Sequence, residues 1–284
     1  MRSLDQIRSD CYHVDAMLPA ERRLLIAERI RSRGVVSIAA LAEHLGTSEI
    51  TVRRDLRFLS EQGLAVKTHG GALLPSGLTR EPPYSEKATT AAQEKEAIAR
   101  VAAALIRPGE SVILSPGTTT LALARVLRHL QDLTVVTNSL LAAEALMAAT
   151  GVEVFVTGGQ LRRSIHALIG PDVEDAVRPL RVSRTFISGN GMTAARGLST
   201  PNPLVAAADR ALAAAAERVV VLADHTKVGV ETMCQTIPLE LIATLITDHS
   251  ADQRELRAIQ DAGVEVLVAE LIESPGLLAG AAGA

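Results

Sequence analysis

The stretch TSEITVRRDLRFLSEQG, residues 47–63, predicts a short helix whose faces differ in chemistry. Val52, Leu56 and Leu59 recur at helical spacing and should face inward, while Gly63 should end the helix. The other faces then carry three arginines within five residues. An α-helix fits the major groove of DNA, where arginine can read guanine through two hydrogen bonds. The stretch therefore suggests a helix that contacts DNA.

Two further helices are predicted upstream of this one. The first has Leu25, Ile26 and Ile30 on one side, and the second has Ser37 as its N-cap and ends at Gly46. Three short helices with a three-residue turn between the second and the third are typical of a helix-turn-helix.

The segment after the third helix, LAVKTHGGA at residues 64–72, alternates in polarity and ends in a glycine pair, which predicts a two-stranded wing. A lysine and a histidine on this wing would add contacts to the DNA backbone. The candidate DNA-binding residues are Ser48, Thr51, Arg53, Arg54, Arg57, Lys67 and His69. The alternative is a solvated helix face on which Asp55 pairs with one of the arginines.

The formal net charge of −3 hides a division between two parts of the chain. Residues 19–74 contain nine Lys/Arg and six Asp/Glu, whereas residues 75–284 contain eighteen and twenty-three. A basic head on an acidic body fits a DNA-binding domain joined to a second domain. Five aromatic residues and no tryptophan leave almost nothing for recognition by stacking.

The placement of cysteines and histidines predicts neither a metal site nor a disulfide framework. Cys11 and Cys234 lie far apart, and the histidines match no ligand spacing. No apolar run is long enough for a membrane span, and the charged start lacks the apolar segment of a signal peptide. We therefore expect a cytoplasmic protein without a cofactor.

A larger α/β domain is predicted beyond the winged domain of residues 19–74. Residues 75–90 contain three prolines without periodicity and read as a linker, and residues 91–270 alternate helical stretches with β-branched runs. Such a pattern favours a mainly parallel, Rossmann-like sheet covered on both faces. Its strands are expected at 111–115, 133–137, 152–156, 184–188, 218–223, 243–247 and 264–268. Residues 1–18 and 271–284 are expected to be a disordered extension and a flexible tail.

The loop after the first of these strands, SPGTTT at residues 115–120, has the composition of a phosphate cradle. Glycine, three hydroxyls and a helix N-terminus come together there, although the loop is neither a Walker A motif nor GxGxxG. Ligands of open parallel sheets bind beyond the carboxyl ends of the strands. The other predicted strand ends carry TNS at 137–139, TGG at 157–159, GNG at 189–191 and ADHTK at 223–227. Lys227 would suit an anion, while each loop alone also fits an ordinary turn.

Two motifs resemble those of the DeoR family of bacterial transcription regulators. They are SEITVRRDL at 48–56 and THGGA at 68–72. The resemblance covers nearly the whole chain from residue 19 to about residue 270. It implies a repressor with a helix-turn-helix at about 36–55. It also implies an effector domain whose fold is similar to that of ribose-5-phosphate isomerase.

For the effector domain, the resemblance implies a phosphorylated sugar or a related metabolite as the ligand. The matching stretches include GTT at 117–119, VTNS at 136–139 and LADHTK at 222–227. By this resemblance the phosphate would be held by Gly117, Thr118, Thr119 and Thr120, with Asn138 and Lys227 nearby. The remaining candidate effector-binding residues are Gly158, Gly159, Gly189, Gly191 and Asp224.

Three positions depart from the pattern of the family. Acidic residues are common where this chain has Ser115, Val205 and Ala207, and carboxylates there could bind sugar hydroxyls or act as a base. Their absence weakens an enzymatic interpretation.

Together these patterns favour a ligand-responsive repressor of carbohydrate metabolism genes that is not an enzyme. It would bind a palindromic or repeated operator in double-stranded DNA as a dimer or tetramer, and a phosphorylated metabolite would change its DNA affinity. The alternative is a sugar-phosphate isomerase or deaminase with an accessory DNA-binding domain, in which Asp224, His225 or Lys227 could act as acid or base. A purely structural module is a third class with little support.

Overall fold

The structure is a computed structural model that describes residues 17–33, 35–67, 70–73 and 78–271. It divides into two compact units, Met1–Pro75 and Ser76–Ala284. Most of the expected N-terminal extension and C-terminal tail lies outside the described residues, as does His69 on the predicted wing.

Within its described residues, the first unit contains three helices and a small antiparallel sheet. Its helices are α1 (Pro19–Arg33), α2 (Ile38–His44) and α3 (Glu49–Glu61), and its strands are β1 (Val35–Ser37), β2 (Val66–Lys67) and β3 (Gly71–Leu73). The sheet has the order β1-β3-β2, so the wing gains a third strand that the sequence did not predict. Gly71 makes this pairing possible, because a Cβ there would lie 1.9 Å from the carbonyl oxygen of Val36.

The core of the first unit confirms the helical spacing with one exception. Val52, Leu56 and Leu59 of α3 are buried against Ile26 and Ile30 of α1 and their neighbours. The expectation that Leu25 shares the apolar side of α1 is wrong, because its side chain is 40% exposed. A step of one residue turns a helix by about 100°, and the small Ala27 occupies the buried position instead.

The second unit is built on a seven-stranded sheet. Its helices are α4 (Tyr84–Thr89), α5 (Ala92–Ala103), α6 (Thr118–Leu127), α7 (Leu140–Leu146), α8 (Pro171–Val177), α9 (Pro203–Ala214) and α10 (Gln253–Asp261). Its strands are β4 (Ser111–Leu114), β5 (Leu133–Thr137), β6 (Val152–Val156), β7 (Gln160–Arg162), β8 (Ala167–Ile169), β9 (Val182–Ile187), β10 (Gly191–Thr193), β11 (Gly197–Thr200), β12 (Ala216–Leu222), β13 (Cys234–Ile237), β14 (Ile242–Asp248) and β15 (Glu265–Ala269).

The seven strands of the main sheet are the seven predicted from apolar runs. Their order is β15-β14-β12-β9-β4-β5-β6, and every neighbouring pair is parallel. Both faces of the sheet are covered, as predicted, because Val112 and Leu114 pack with Leu123 of α6 on one face while Ile113 packs with Val173 and Leu212 on the other. The predicted fold class, a winged helix-turn-helix domain plus a mainly parallel α/β domain, is confirmed.

The structure corrects the prediction that residues 75–90 form a linker. Residues Tyr84–Thr89 form α4, and the side chain of Glu81 is buried in the second unit. Prolines are compatible with the start of a helix, and Pro83 is the residue at the N-cap of α4. The second unit thus begins earlier than expected, with a segment that follows directly on the first unit in sequence.

Other elements of the second unit carried no clear pattern in the sequence. They are α8, the hairpin of β7 and β8, and a small sheet of order β10-β11-β13. These pieces lie between the parallel strands along the chain, and several of them contribute to the site described below. Within the described ranges, the structure contains no helix long and apolar enough to cross a membrane.

Candidate functional site

The N-terminus of α3 is capped as its sequence predicts. The Ser48 hydroxyl accepts a hydrogen bond from the Thr51 N–H at 3.2 Å, and the two side-chain hydroxyls lie 2.9 Å apart. Both residues were predicted to contact DNA, and in the structure their hydroxyls contact each other and the helix start. These hydrogen bonds cap α3 and fix the residue at which the helix begins.

Asp55 points away from the arginine-rich side of α3. Its carboxylate is 1% exposed and accepts hydrogen bonds from the Nε atoms of Arg22 at 2.6 Å and Arg23 at 2.9 Å, both on α1. The Arg23 guanidinium also lies 4.0 Å from the ring centre of Phe58. The alternative in which Asp55 neutralises one of the arginines of its own helix is therefore wrong.

The arginines of α3 are exposed. Arg53 forms an exposed ion pair with Glu49 at 2.9 Å, whereas neither Arg54 nor Arg57 has a polar partner among the residues that the structure describes. Lys67 is exposed on β2. The apolar stripe of α3 and the carboxylate of Asp55 thus hold this amphipathic helix against the rest of the unit. Its cationic side is exposed and can contact an anionic partner.

In the second unit, a cavity opens at the carboxyl ends of the parallel strands. Its wall includes the loop between β4 and α6, the loops after β9 and β12, the helices α4 and α9, and residues of β11 and of the turn between β7 and β8. The lining residues are Glu81, Tyr84, Lys87, Pro116, Gly117, Thr118, Ile165, Ser188, Gly189, Asn190, Thr200, Val205, Asp209 and Lys227. We call this the sensor cavity.

A second cavity shares Lys87, Asn190 and Lys227 with the sensor cavity and adds Lys95 and Asp224. Lysines therefore converge here from α4, from α5 and from the loop after β12. Hydrogen-bond donors of this kind at the carboxyl edge of a parallel sheet suit an anionic ligand.

Lys87 is held in the sensor cavity by a buried acid. Its Nζ lies 3.7 Å from Glu81, which is 3% exposed and also forms an ion pair with Arg162 of β7. Burial lowers the pKa of Lys87 to about 8, and the Lys227 charge adds to this, although Glu81 opposes it. The charge on Lys87 is consequently sensitive to what occupies the cavity.

Asp224 joins the other two lysines. Its Oδ2 lies 3.5 Å from Lys227 Nζ and 3.8 Å from Lys95 Nζ, and Thr226 donates hydrogen bonds to its Oδ1. Burial alone would raise the pKa of Asp224, but Lys227 and the hydrogen bonds from Thr226 hold it below its ordinary value. Burial, aided by the charge of Lys227, lowers the pKa of Lys95 to about 8.

Four of the predicted effector residues line the sensor cavity, and one lines the adjoining cavity. Gly117, Thr118, Gly189 and Lys227 belong to the first, and Asp224 to the second. A Cβ at Gly189 would lie 2.7 Å from a Leu198 side-chain atom and 2.8 Å from a backbone oxygen, so glycine is needed for the close packing of this wall.

The remaining predicted effector residues do not line either cavity. Thr119 and Thr120 are fully buried, and the Thr120 hydroxyl donates to the backbone oxygen of Gly117 at 3.1 Å. Asn138 is 1% exposed and donates from Nδ2 to the carbonyl of Leu168 at 2.9 Å, which ties β8 to the end of β5. In the structure these three side chains therefore lie behind the wall of the cavity and make contacts within the protein.

The other three glycines that the sequence predicts as effector-binding also lie outside the linings of the two cavities. Gly158 and Gly159 have φ values of 77° and 113° and form the turn between β6 and β7, which is the ordinary turn that the sequence left open. Gly191 begins β10, where a Cβ would lie 2.3 Å from the backbone oxygen of Val230. Loops at strand ends that look alike in the sequence therefore lie at different places in the structure.

Ser115, Val205 and Ala207, the three residues that depart from the family pattern, have different environments in the structure. Ser115 is fully buried, and its Oγ accepts a hydrogen bond from the Ser188 N–H at 3.1 Å, which joins the ends of β4 and β9. Val205 lines the sensor cavity, whereas Ala207 does not. One turn beyond Val205, however, Asp209 places a buried carboxyl in the wall of the cavity.

Sequence reasoning missed the residues contributed by α4, α5 and α9. Lys87 and Glu81 stood in the segment interpreted as a linker. For Asp209 a signal was present, because its spacing from Val205 and Leu212 places an acid on the apolar stripe of an alanine-rich helix. Among the described residues no group of three or more His, Cys, Asp or Glu could hold a metal ion.

Comparison with known proteins agrees with both units. Residues 22–77 match the DeoR-like helix-turn-helix domain, and residues 90–249 match the DeoR C terminal sensor domain. The chain therefore belongs to the DeoR family of transcriptional regulators. It is a DNA-binding regulator of transcription, and the interpretation as an enzyme is set aside, because its curated relatives are regulators.

Two relatives and one solved structure illustrate the range of similarity. The HTH-type transcriptional regulator GlpR of Haloferax volcanii is 36% identical over 251 residues, which cover 88% of this chain and 98% of that protein. The HTH-type transcriptional repressor GlcR of Bacillus subtilis is 33% identical over 254 residues, covering 89% and 98%. Ribose 5-phosphate isomerase A of Methanocaldococcus jannaschii aligns with a TM-score of 0.37 and 16% identity over 49% of this chain and 55% of that chain.

Proposed function

We propose that this regulator represses genes of carbohydrate metabolism and that a phosphorylated sugar in the sensor cavity controls its DNA binding. The observation that carries the ligand assignment is the convergence of Lys87 and Lys227 with the loop of Gly117 and Thr118 at the N-terminus of α6. Lysines, free backbone N–H groups and the positive end of a helix dipole together favour a phosphate.

The charges around the two cavities support an anion. Lys87, Lys95 and Lys227 lie near the two carboxylates of Glu81 and Asp224, and Glu81 also forms an ion pair with Arg162. Arg80 and Glu86, which also line the second cavity, form an ion pair with each other. A phosphate ester carries about −1.5 to −2 charges at pH 7 and would remove the positive surplus.

The segment that follows the DNA-binding unit forms part of this site, which offers a route from ligand to DNA. Lys95 donates hydrogen bonds to the backbone oxygens of Lys87 and Thr90, at the C-terminal end of α4. Glu81 and Lys87 anchor the same segment from the other side. A phosphate that draws Lys87 away from Glu81 would change how this segment is held, and the change in DNA affinity must be reciprocal.

We propose Arg53, Arg54 and Arg57 of α3, with Thr51 and Lys67, as the surface that contacts DNA. Regulators of this architecture read two half-sites, so we also propose a homodimer or tetramer on a palindromic or repeated operator. A protein that works on the bacterial or archaeal chromosome acts in the cytoplasm, and we propose that location.

The DNA contact is tested by titrating promoter DNA adjacent to the chain's own gene. Replacing Arg54 or Arg57 by alanine should weaken binding roughly 5- to 150-fold if the side chain reads a base, and should reduce the salt slope by about 1 if it meets a phosphate. Arg178→Ala is the matched control, because Arg178 is exposed in the second unit and pairs with Asp175. Equal affinities for all three variants would refute the assignment.

The ligand class is tested by thermal shift of the full chain with phosphorylated sugars, the same sugars without phosphate, and inorganic phosphate. Phosphorylated sugars should raise the melting temperature where the unphosphorylated sugars do not, and Lys227→Met should remove the effect. The Arg178→Ala chain, which also loses one positive charge, should keep it. No shift with any phosphorylated sugar would overturn the proposal.

A further inference from the structure

Neither the proposed DNA binding nor the proposed phosphate binding assigns a role to the carboxyl group of Asp209. It lies on α9, is 2% exposed and lines the sensor cavity together with Val205, one helical turn away. Its carboxylate forms no hydrogen bond or ion pair with any residue that the structure describes. A buried carboxyl without a partner is costly in its charged form, and a cationic occupant of the cavity would compensate that cost.

The other acids that line the two cavities are already balanced. Glu81 pairs with Lys87 and Arg162, Asp224 lies between Lys95 and Lys227, and Glu86 pairs with Arg80. Asp209 is the exception among the described lining residues. The lysines and the α6 N-terminus meet the needs of a phosphate, and this carboxyl remains for a different group on the same ligand.

The surroundings of Asp209 indicate which group that is. Ile165 and Val205 are apolar parts of the same wall, and in such surroundings an ion pair is stronger than in water. Arg210, next along α9, is turned elsewhere, because its Nη1 donates to the backbone oxygen of Gln235 at 3.0 Å. Among the described residues no cation forms an ion pair with Asp209, although the charge of Arg210 acts on it from a distance. A cationic group of the ligand could form that pair.

We propose that the effector is a phosphate ester that also carries a protonated amine, with Asp209 as the residue that binds the amine. This inference rests on the proposed phosphate site and specifies which phosphorylated ligands the site prefers. A ligand with a hydroxyl in place of the amine would leave the carboxyl without its counter-ion. Hydrogen bonds between two charged groups are about twice as strong as neutral ones, so the amine should be favoured.

Binding of the amine has a consequence for protons. Burial, opposed by the charge of Arg210 and aided by that of Glu81, raises the pKa of Asp209 to about 8. The other titratable groups that line the sensor cavity are Tyr84, Lys87 and Lys227, and Cys234 lies on β13, which packs against α9. Asp209 is thus largely protonated at pH 7 in the empty cavity and must release its proton when an ammonium group arrives.

The experiment is isothermal titration of the full chain at pH 7 with glucosamine 6-phosphate, glucose 6-phosphate and inorganic phosphate. The two sugar phosphates differ in one amine. We expect the amine ligand to bind at least about tenfold more tightly and to release more protons, measured in two buffers of different ionisation enthalpy. In Asp209→Asn the preference should fall below about threefold, and the additional proton release should disappear.

Asp261→Asn is the matched control, because it removes an exposed carboxylate at the end of α10 and should keep the preference. Equal binding of the two sugar phosphates would overturn the inference while the phosphate site stands. A preference that persists in Asp209→Asn would also overturn it, because the amine would then be bound elsewhere. If inorganic phosphate and both esters fail to bind, the phosphate site is wrong and the inference falls with it.

Discussion

Replacing Asp55 by alanine should loosen α3 from α1, although Asp55 does not face the proposed DNA surface. Its carboxylate is the shared acceptor for Arg22 and Arg23, and the variant leaves both guanidinium groups without that partner. The residue stands between Arg54 and Leu56 in the sequence, so it belongs to the same motif as the outward arginines while acting on the core.

The expected loss of stability follows from the exposure of the three side chains. Breaking a fully buried ion pair by removing one partner costs about 3–5 kcal/mol. Asp55 is 1% exposed, but the side chains of Arg22 and Arg23 are 14% and 27% exposed and regain some hydration. We therefore expect a loss of about 2–3 kcal/mol, after a discount for solvent screening. At 1.36 kcal/mol per factor of ten, this equals roughly 30- to 160-fold in local opening.

Amide hydrogen exchange read by mass spectrometry is the appropriate assay, because it reports on α3 separately from the second unit. Amides of α3 should exchange about 30- to 160-fold faster in Asp55→Ala, and those of β4 and β9 should not change. The control is Glu49→Gln, which breaks the exposed pair with Arg53 and should cost about 0.5 kcal/mol or less. An effect in Asp55→Ala no larger than that of the control would refute the reasoning.

Two other predictions concern the sensor cavity and the wing. Phosphate affinity should be highest between about pH 6 and pH 8. Below this range the ester takes up a proton, and above it Lys87 and Lys95, with pKa values of about 8, lose theirs. A bound phosphate raises both lysine pKa values, so binding should take up protons near pH 8, and titration that shows no proton uptake there would contradict the prediction. Gly71→Ala should destabilise the first unit by about 2–3 kcal/mol because its Cβ would overlap the Val36 carbonyl, whereas Gly70→Ala, where a Cβ meets nothing within 4 Å, should be neutral in thermal unfolding.

The sequence predicted the sheet well because its central strands are buried on both faces. Segments such as Val112–Leu114 are apolar without alternation, and helices separate them at regular intervals, so few other folds satisfy the pattern. The wing was predicted with one strand too few. β1 is only three residues long, and its pairing with β3 depends on the close approach at Gly71, which no local pattern encodes.

The candidate site was predicted only in part, because loops that look similar diverge in three dimensions. Gly117 and Lys227 follow two different strands and meet in one cavity, whereas Asn138 follows another and turns toward β8. Proline content concealed α4 and with it Lys87. An isolated acid on the buried side of α9 was visible in the sequence, but its meaning depends on the cavity that Asp209 faces.

The carboxylate of Glu81 is an anion within the protein that would compete with the proposed phosphate ligand for Lys87. A phosphate that binds Lys87 at the proposed site would weaken or replace this ion pair, so the measured affinity would be the difference between the binding of an external and of an internal anion. On this proposal the ion pair would contribute to the metabolite concentration at which the regulator responds, and its strength could change without any change in the residues that contact the phosphate. Glu81→Gln would remove the internal anion and also the charge that raises the pKa of Lys87. It would leave Arg162 without its partner, so the same substitution should loosen the segment that leads back to the DNA-binding unit.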